Sequence, residues 1–455
     1  MTRMFCLALA LLAGVVHADD TLIDFENGLP ESVRFVGVEP KLRDVSAPQG
    51  QLYLELVRNP GATLSYVIFP LPDGADLSRS AALRFRTRPD DDAPTAPLEM
   101  RWLALDDRNR VLFQRRLTID HDSDWQDLRE PLSLWRWDNQ RTGDWREVRR
   151  LALRIETNAG QLLLDDVRLE TGTRGDASAV RSDDELVRLA FADRPVRRAA
   201  GDGLLVASDQ LERFTHADVE SIRLDMLRAR KLIARVFGPA VRTTNPAQSV
   251  ALLIFDTPDS ERLFHESLGK LWRAQIVPPR SGGYTVQDIS TSSWNPRYGV
   301  KRPVYLHETV HGLLARDLRL LTGHAPHTWL HEGFASYVQV AVYPDSISAD
   351  VLARNFQAGV GMPGSQFIPL EELFRSRVQL DQYPQALSVV SHLIDKEPAL
   401  LRDLAGALGD GKTVAEVLEN RGMTLQQLQN DWLAWGRTHY RADMKRVVEL
   451  PEEWK

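Results

Sequence analysis

The sequence predicts a multidomain chain: an all-β domain of the jelly-roll or β-sandwich kind, then an α+β domain that ends in helices. Three observations predict it. Short runs with period-two alternation, separated by Gly, Pro and Asn turn signals, fill residues 19–170. From about Gly203 the pattern changes to long apolar strands and to segments with apolar residues three and four apart. Two helix-compatible segments between His307 and Ala335 carry His and Glu side chains at metal-ligand spacing.

Length and composition set the frame. At 455 residues, two or three domains are expected, each able to bury a core. The net charge is -7, and no basic face is evident, so nucleic acid is not an expected partner. The N-terminus reads as a secretory signal over residues 1–18. Arg3 is the positive n-region, Phe5 to Val16 the apolar h-region, and Val16-His17-Ala18 the small-residue cleavage site. The mature chain then starts near Asp19, in a periplasmic or secreted setting. The alternative is an N-terminal anchor, but the apolar run is short for a bilayer, and no other stretch is long enough to be a transmembrane helix. The single cysteine, Cys6, lies inside this segment, so no disulfide and no thiol ligand is expected in the mature protein.

The β domain is expected over 19–170. Gln51 to Val57, Ala82 to Arg86, Leu98 to Trp102 and Gln161 to Leu169 alternate as strands, with turns at Asn59-Pro60-Gly61 and Pro72-Asp73-Gly74. Five of the eleven tryptophans fall here: Trp102, Trp125, Trp135, Trp137 and Trp145. Exposed rings would stack on sugars, and buried ones would pack a core; the core reading is preferred. Asp120, Asp122 and Asp124 alternate like the start of a calcium loop. Trp125 and Pro131 then occupy the positions that loop reserves for glycine and glutamate, so a solvated acidic turn is expected. The final strand, with Ile23 to Glu26 and Trp125, resembles galactose-binding-like jelly rolls of carbohydrate-binding modules. That resemblance implies a glycan as a partner of this domain.

Residues 171–202 read as a linker, from the small polar run Thr171 to Ser178, with a short helix at Asp183 to Phe191 and a solvated basic connector at Arg194 to Arg198. The second domain, 203–455, opens on a strand at Leu204 to Ser208. A helix follows over His216 to Phe237, then a buried strand at Val250 to Phe255 and a helix over Asp259 to Leu268. Gly282 to Ile289 is a strand or hairpin edge. Two amphipathic helices over Thr413 to Tyr440 close the chain, burying Trp432, Leu433 and Trp435.

His307-Glu308-Thr309-Val310-His311 is an H-E-x-x-H motif. On a helix, residues four apart share a face, so both imidazoles reach one ion. Glu308 projects about 100° around the helix, toward water at the ion's open position. Pro303 suits a first helical turn, and Leu306, Val310 and Leu313 form an apolar stripe. The bland alternative is a surface helix with two solvated histidines. Glu332, in the helical Trp329-Leu330-His331-Glu332-Gly333-Phe334-Ala335 segment, supplies a third ligand, as zinc in a thiol-free site requires. His324, His327, His331 and His392 are expected to be structural.

With these two segments the chain resembles the gluzincin metallopeptidases, the thermolysin and aminopeptidase N types and the peptidase-MA-like domains among them. The likeness covers about 203–437. It implies a zincin fold and one zinc per chain on His307, His311 and Glu332. It also implies a peptide or protein substrate, hydrolysed by a zinc-activated water with Glu308 as general base. By order along the chain, Gly283, Tyr284 and Thr285 are the candidate edge strand for the substrate. The segment from Tyr383 resembles a peptidase-MA-like one, so Tyr383 is the candidate oxyanion donor, ahead of Tyr298 and Tyr337. The glycine-methionine-glutamate-asparagine signature of the aminopeptidase N type is absent, so aminopeptidase specificity does not follow. Where thermolysin-like enzymes place an aspartate four residues after the third ligand, this chain has Ser336. The rivals are a non-catalytic glycan-binding or adhesion protein with a metal-binding scaffold, and a zinc amidase acting on cell-wall peptides.

Overall fold

The computed structural model describes residues 20–439 other than 45–49, 51, 73–74, 76, 78–79, 90–97, 120–123, 133–134, 138–144, 157–160, 172–181, 242–248, 272–275, 277–281, 301, 321, 323–324 and 362–366. The signal segment, the Asp73-Gly74 turn, Asp120, Asp122, most of the Thr171 to Ser178 run, His324 and Tyr440 lie outside the described residues.

The first half is antiparallel β. Its strands are β1 (Asp20–Ile23), β2 (Arg34–Val36), β3 (Val38–Arg43), β4 (Tyr53–Arg58), β5 (Tyr66–Pro70) and β6 (Ser80–Pro89). Then come β7 (Leu98–Leu105), β8 (Val111–Ile119), β9 (Gln126–Pro131), β10 (Arg136–Trp137), β11 (Arg150–Ile155) and β12 (Gln161–Thr171). They form two six-stranded sheets, one ordered β3-β4-β12-β6-β9 with β1 also on β12, the other β10-β8-β7-β11-β5-β2. Alternate residues of each strand face the space between the sheets, where Leu54, Leu56, Phe69, Phe85, Met100, Trp102, Phe113 and Leu164 form one core. Two packed sheets sharing such a core make a β-sandwich.

Trp102, Trp135 and Trp145 are buried in this core, and Trp145 stacks on Phe113 with centroids 3.9 Å apart. The packing reading therefore holds for these three. Trp125 is half-buried, edge-on to Tyr53 and under the Arg88 guanidinium. The side chain of Trp137 is outside the described residues.

The second half opens with α1 (Asp183–Phe191), β13 (Arg197–Gly201), β14 (Leu204–Ser208), α2 (His216–Phe237), β15 (Val250–Phe255), α3 (Pro258–Leu271), β16 (Tyr284–Val286) and β17 (Ile289–Ser293). The helices α4 (Pro303–Asp317), α5 (Ala325–Val342), α6 (Ile347–Gly361), α7 (Leu370–Leu373), α8 (Tyr383–Lys396), α9 (Pro398–Gly409), α10 (Val414–Asn420) and α11 (Leu425–His439) follow. The sheet runs β13-β14-β15-β17-β16, with β14, β15 and β17 parallel and the two outer pairings antiparallel. One face packs Leu204, Val206, Leu252 and Ile254 against α2 and α4; the other packs Leu205, Ala207, Leu253 and Phe255 against α1 and α3. Every residue of β15 is buried, as a central strand covered on both faces requires.

One expectation is corrected. The stretch 171–202, read as a linker with a short helix and a solvated basic connector, forms that helix and also a strand. The helix α1 buries Leu186, Ala190 and Phe191 against the sheet, and β13 pairs antiparallel with β14 in place of a solvated connector. Only Ala199 of β13 is buried, so period-two alternation is too weak there to mark a strand. The Gly282 to Ile289 stretch forms the expected hairpin edge: it turns at Gln287, whose φ is 56°, and continues as β17, a hydroxyl-rich strand whose burial its composition hides.

Candidate metal centre

The helix α4 starts at Pro303, after the extended N-cap Arg302. Leu306, Val310, Leu313 and Leu314 are buried against the sheet core. That contact turns His307 and His311 toward α5, and Glu308 toward the β16–β17 hairpin. On α5, Trp329, Leu330 and Phe334 anchor the core side, and Glu332 faces α4. Donor atoms of His307, His311 and Glu332 all lie within 4.8 Å of one another, the group of that kind found among the described residues. Glu332 Oε2 is 3.1 Å from His307 Nε2 and 3.5 Å from His311 Nε2.

The two separations from Glu332 are close to those of a metal site. Ligand atoms ~2.0–2.1 Å from a tetrahedral zinc stand about 3.3–3.4 Å from one another. Two imidazole nitrogens and one carboxylate oxygen, with no thiol, are also a common donor set for catalytic zinc. The electrostatics agree. Burial opposes charge on Glu332, yet the two imidazoles hold its carboxyl well below the ordinary value. Burial likewise opposes charge on His311, and Glu332 and Glu308 together raise it above the usual imidazole value. The site concentrates negative charge in a buried place, which is what a cation requires.

Glu308 is buried and engaged by the hairpin. The Thr285 hydroxyl lies 2.8 Å from Glu308 Oε2, and the Ser290 hydroxyl donates to the Glu308 carbonyl at 3.0 Å. A Cβ on Gly283 would meet Glu308 Cγ at 2.5 Å, so only glycine lets the hairpin approach this closely. Of the three residues expected at the substrate edge, Gly283 and Thr285 thus contact the Glu308 side chain, and Tyr284 packs edge-on to His265. Tyr284 and Thr285 belong to β16, an outer strand of its sheet among the described residues, and Gly283 directly precedes it.

Tyr383, at the start of α8, stacks on His307 with centroids 5.8 Å apart and an 8° interplanar angle. Burial, the Glu332 charge and a hydrogen bond to Glu332 push its phenol well above the ordinary value. Gly333 makes this approach feasible, because a Cβ there would lie 2.5 Å from the Ala386 carbonyl of α8. Tyr337 instead packs into the core against Phe334, and Tyr298 sits exposed under Arg302.

His331 packs beside His311, with ring centroids 5.3 Å apart, and is not one of the three grouped donors. Its Nε2 is 3.1 Å from the Leu320 carbonyl, and burial pushes it down to about 3. His327 and His392 are buried outside the site. Ser336 is fully buried with no hydrogen-bond partner among the described residues, so it does not orient either histidine. The sequence assigns no role to Ser290 or to Gly333, although Gly333 stands in the segment read around Glu332. The glycine beside Glu332 was a usable signal, whereas a serine in a hydroxyl-rich run carried none.

No protein-family model matches this chain, and no curated protein matches it. Among solved structures, the chain is similar to the family 11 carbohydrate-binding module of the cellulosomal cellulase Lic26A-Cel5E of Clostridium thermocellum. The identity is 18%, over 34% of this chain and 95% of that one, at a TM-score of 0.28. It is similar to the CBM22-1 xylan-binding domain of Xyn10C from Paenibacillus barcinonensis at 15% identity, over 34% and 96%, with a TM-score of 0.26. An exo-β-agarase matches at 12% identity over 42% of this chain and 36% of that one, with a TM-score of 0.28. No helix of the described residues is long and apolar enough to cross a membrane.

Proposed function

We propose that this chain is an exported zinc-dependent metallopeptidase of the gluzincin type, holding one zinc per chain on His307, His311 and Glu332. The observation that supports the reading is the convergence of these three donors with a buried carboxylate, Glu308, on the adjoining helix face. A zinc ion there would polarise the scissile carbonyl and lower the pKa of water. Glu308 takes the water's proton and delivers it to the leaving amine. Tyr383, stacked on His307, would offer its hydroxyl to the developing oxyanion. An extended peptide would lie along β16, next to Glu308. With residues 1–18 read as a secretory signal, the protein would act in the periplasm or outside the cell.

The β-sandwich supports a second role, glycan recognition, alongside or in place of catalysis. A non-catalytic adhesion protein or a zinc amidase acting on cell-wall peptides would share the same architecture.

Zinc stoichiometry on the purified full chain tests the metal. One zinc in the wild type, lost in His307→Ala and Glu332→Ala, supports the ligand set; a folded wild type without zinc overturns it. A peptide library then tests the reaction, and cleavage that survives Glu308→Gln overturns the mechanism. A glycan array on the full chain separates the binding role.

A further inference from the structure

We propose that Thr285 is a positioning residue, which holds the Glu308 carboxylate in its working orientation through its hydroxyl. The inference deepens the peptidase reading and rests on it. Thr285 Oγ1 lies 2.8 Å from Glu308 Oε2, 2.9 Å from the Glu308 carbonyl and 3.2 Å from Ser290 Oγ. A threonine hydroxyl has one proton to give. The Ser290 hydroxyl, 3.0 Å from the Glu308 carbonyl, serves the backbone. The Thr285 proton is therefore available to the carboxylate, where a charge-assisted bond is strongest. This bond engages Oε2 and leaves Oε1 for the proton that catalysis must move.

The hairpin that carries Thr285 is itself held on both faces. On the α4 side are the two hydroxyl contacts and the close approach at Gly283, where a Cβ would also meet Glu308 Cδ at 3.1 Å. On the α3 side the Thr291 hydroxyl donates to Glu261 Oε1 at 2.8 Å, and His265 Nε2 lies 2.9 Å from the same hydroxyl. The Ser292 hydroxyl donates to the Gly282 carbonyl and closes the hairpin's open end. A glutamate has three side-chain torsions, and a donor fixed to the sheet limits them where a solvated one would not.

The test compares Thr285→Val, Thr285→Ser and Glu308→Gln in the full chain. Cobalt(II) serves as the spectroscopic probe, with a quenched-fluorescence peptide library for activity. Circular dichroism establishes that each variant is folded. Thr285→Val should change the cobalt visible spectrum in the same sense as Glu308→Gln. It should lower kcat by about 10- to 100-fold with KM within about twofold. Thr285→Ser, which keeps the hydroxyl, should restore both, and a purely structural role would not give that pattern. A Thr285→Val protein with the wild-type spectrum and kcat overturns the positioning role and leaves the metallopeptidase reading intact. A wild type that binds cobalt but cleaves no peptide overturns the peptidase reading, and the spectrum alone then decides the role of Thr285. A folded wild type that binds neither zinc nor cobalt overturns both.

Discussion

At the scale of single residues, the site depends on what touches Glu308. Glu308→Gln keeps the shape and all three proposed metal ligands but removes the proposed base. We expect zinc content to stay near wild type and peptide hydrolysis to fall by about 10²–10⁴-fold, measured by metal analysis beside initial rates. Gly283→Ala inserts a methyl 2.5 Å from Glu308 Cγ and 3.1 Å from the Thr291 carbonyl, so carboxylate and hairpin must part. A misplacement of about 1 Å costs on the order of 10²-fold in rate. Gly283→Ala should therefore behave as a kcat variant that retains its zinc; unchanged kinetics would show that Glu308 is not held by this contact.

At the scale of elements, the site is an arrangement of α4, α5, α8 and the β16–β17 hairpin. At Gly333 α5 and α8 approach closely. Its missing side chain leaves room for the Ala386 carbonyl and for Val390, 2.5 and 2.7 Å from where a Cβ would be. Overpacking of this kind costs about 1–3 kcal/mol. Gly333→Ala should lower the denaturant midpoint accordingly, and it should shift Tyr383 off His307, because the same contact sets the start of α8. An unchanged midpoint would show that α8 moves away at no cost.

At the scale of the molecule, the two halves meet through an ion pair. Arg146 Nη1 is 2.7 Å from both oxygens of Glu416, which also caps α10 from its first turn. Both side chains are partly exposed, so a double-mutant cycle on this pair should give a coupling of at most about 1 kcal/mol. The pH dependence of folding has a clearer source. Burial pushes His265 down to about 4. Its neutral form is the one the fold holds, so its contribution is complete above about pH 6.5 and is lost as pH falls through about 4. The full effect is about 3 kcal/mol. Asp288, pushed up to about 6 by burial, acts in the opposite sense and favours the fold when protonated. The difference in unfolding free energy between wild type and His265→Gln, followed from pH 7 to pH 4, isolates the histidine. That difference should shrink as pH falls, and a flat difference would remove His265 from the account.

The sequence by itself determined what local spacing encodes. Period-two runs marked the sandwich strands, apolar residues three and four apart marked α2 and α4, and His307, Glu308 and His311 stood on one helix by the arithmetic of 3.6 residues per turn. The Glu332 segment was legible for the same reason, as were the buried Trp432 and Trp435. Only the tertiary structure decided which residues meet across long chain separations. It brought Thr285 and Ser290 to Glu308, set Tyr383 on His307, and recruited β13 into a sheet from a stretch that reads as a connector. These contacts follow from strand order and from close approaches at glycines, which depend on the whole packed core, whereas periodicity reports only which face of an element is apolar.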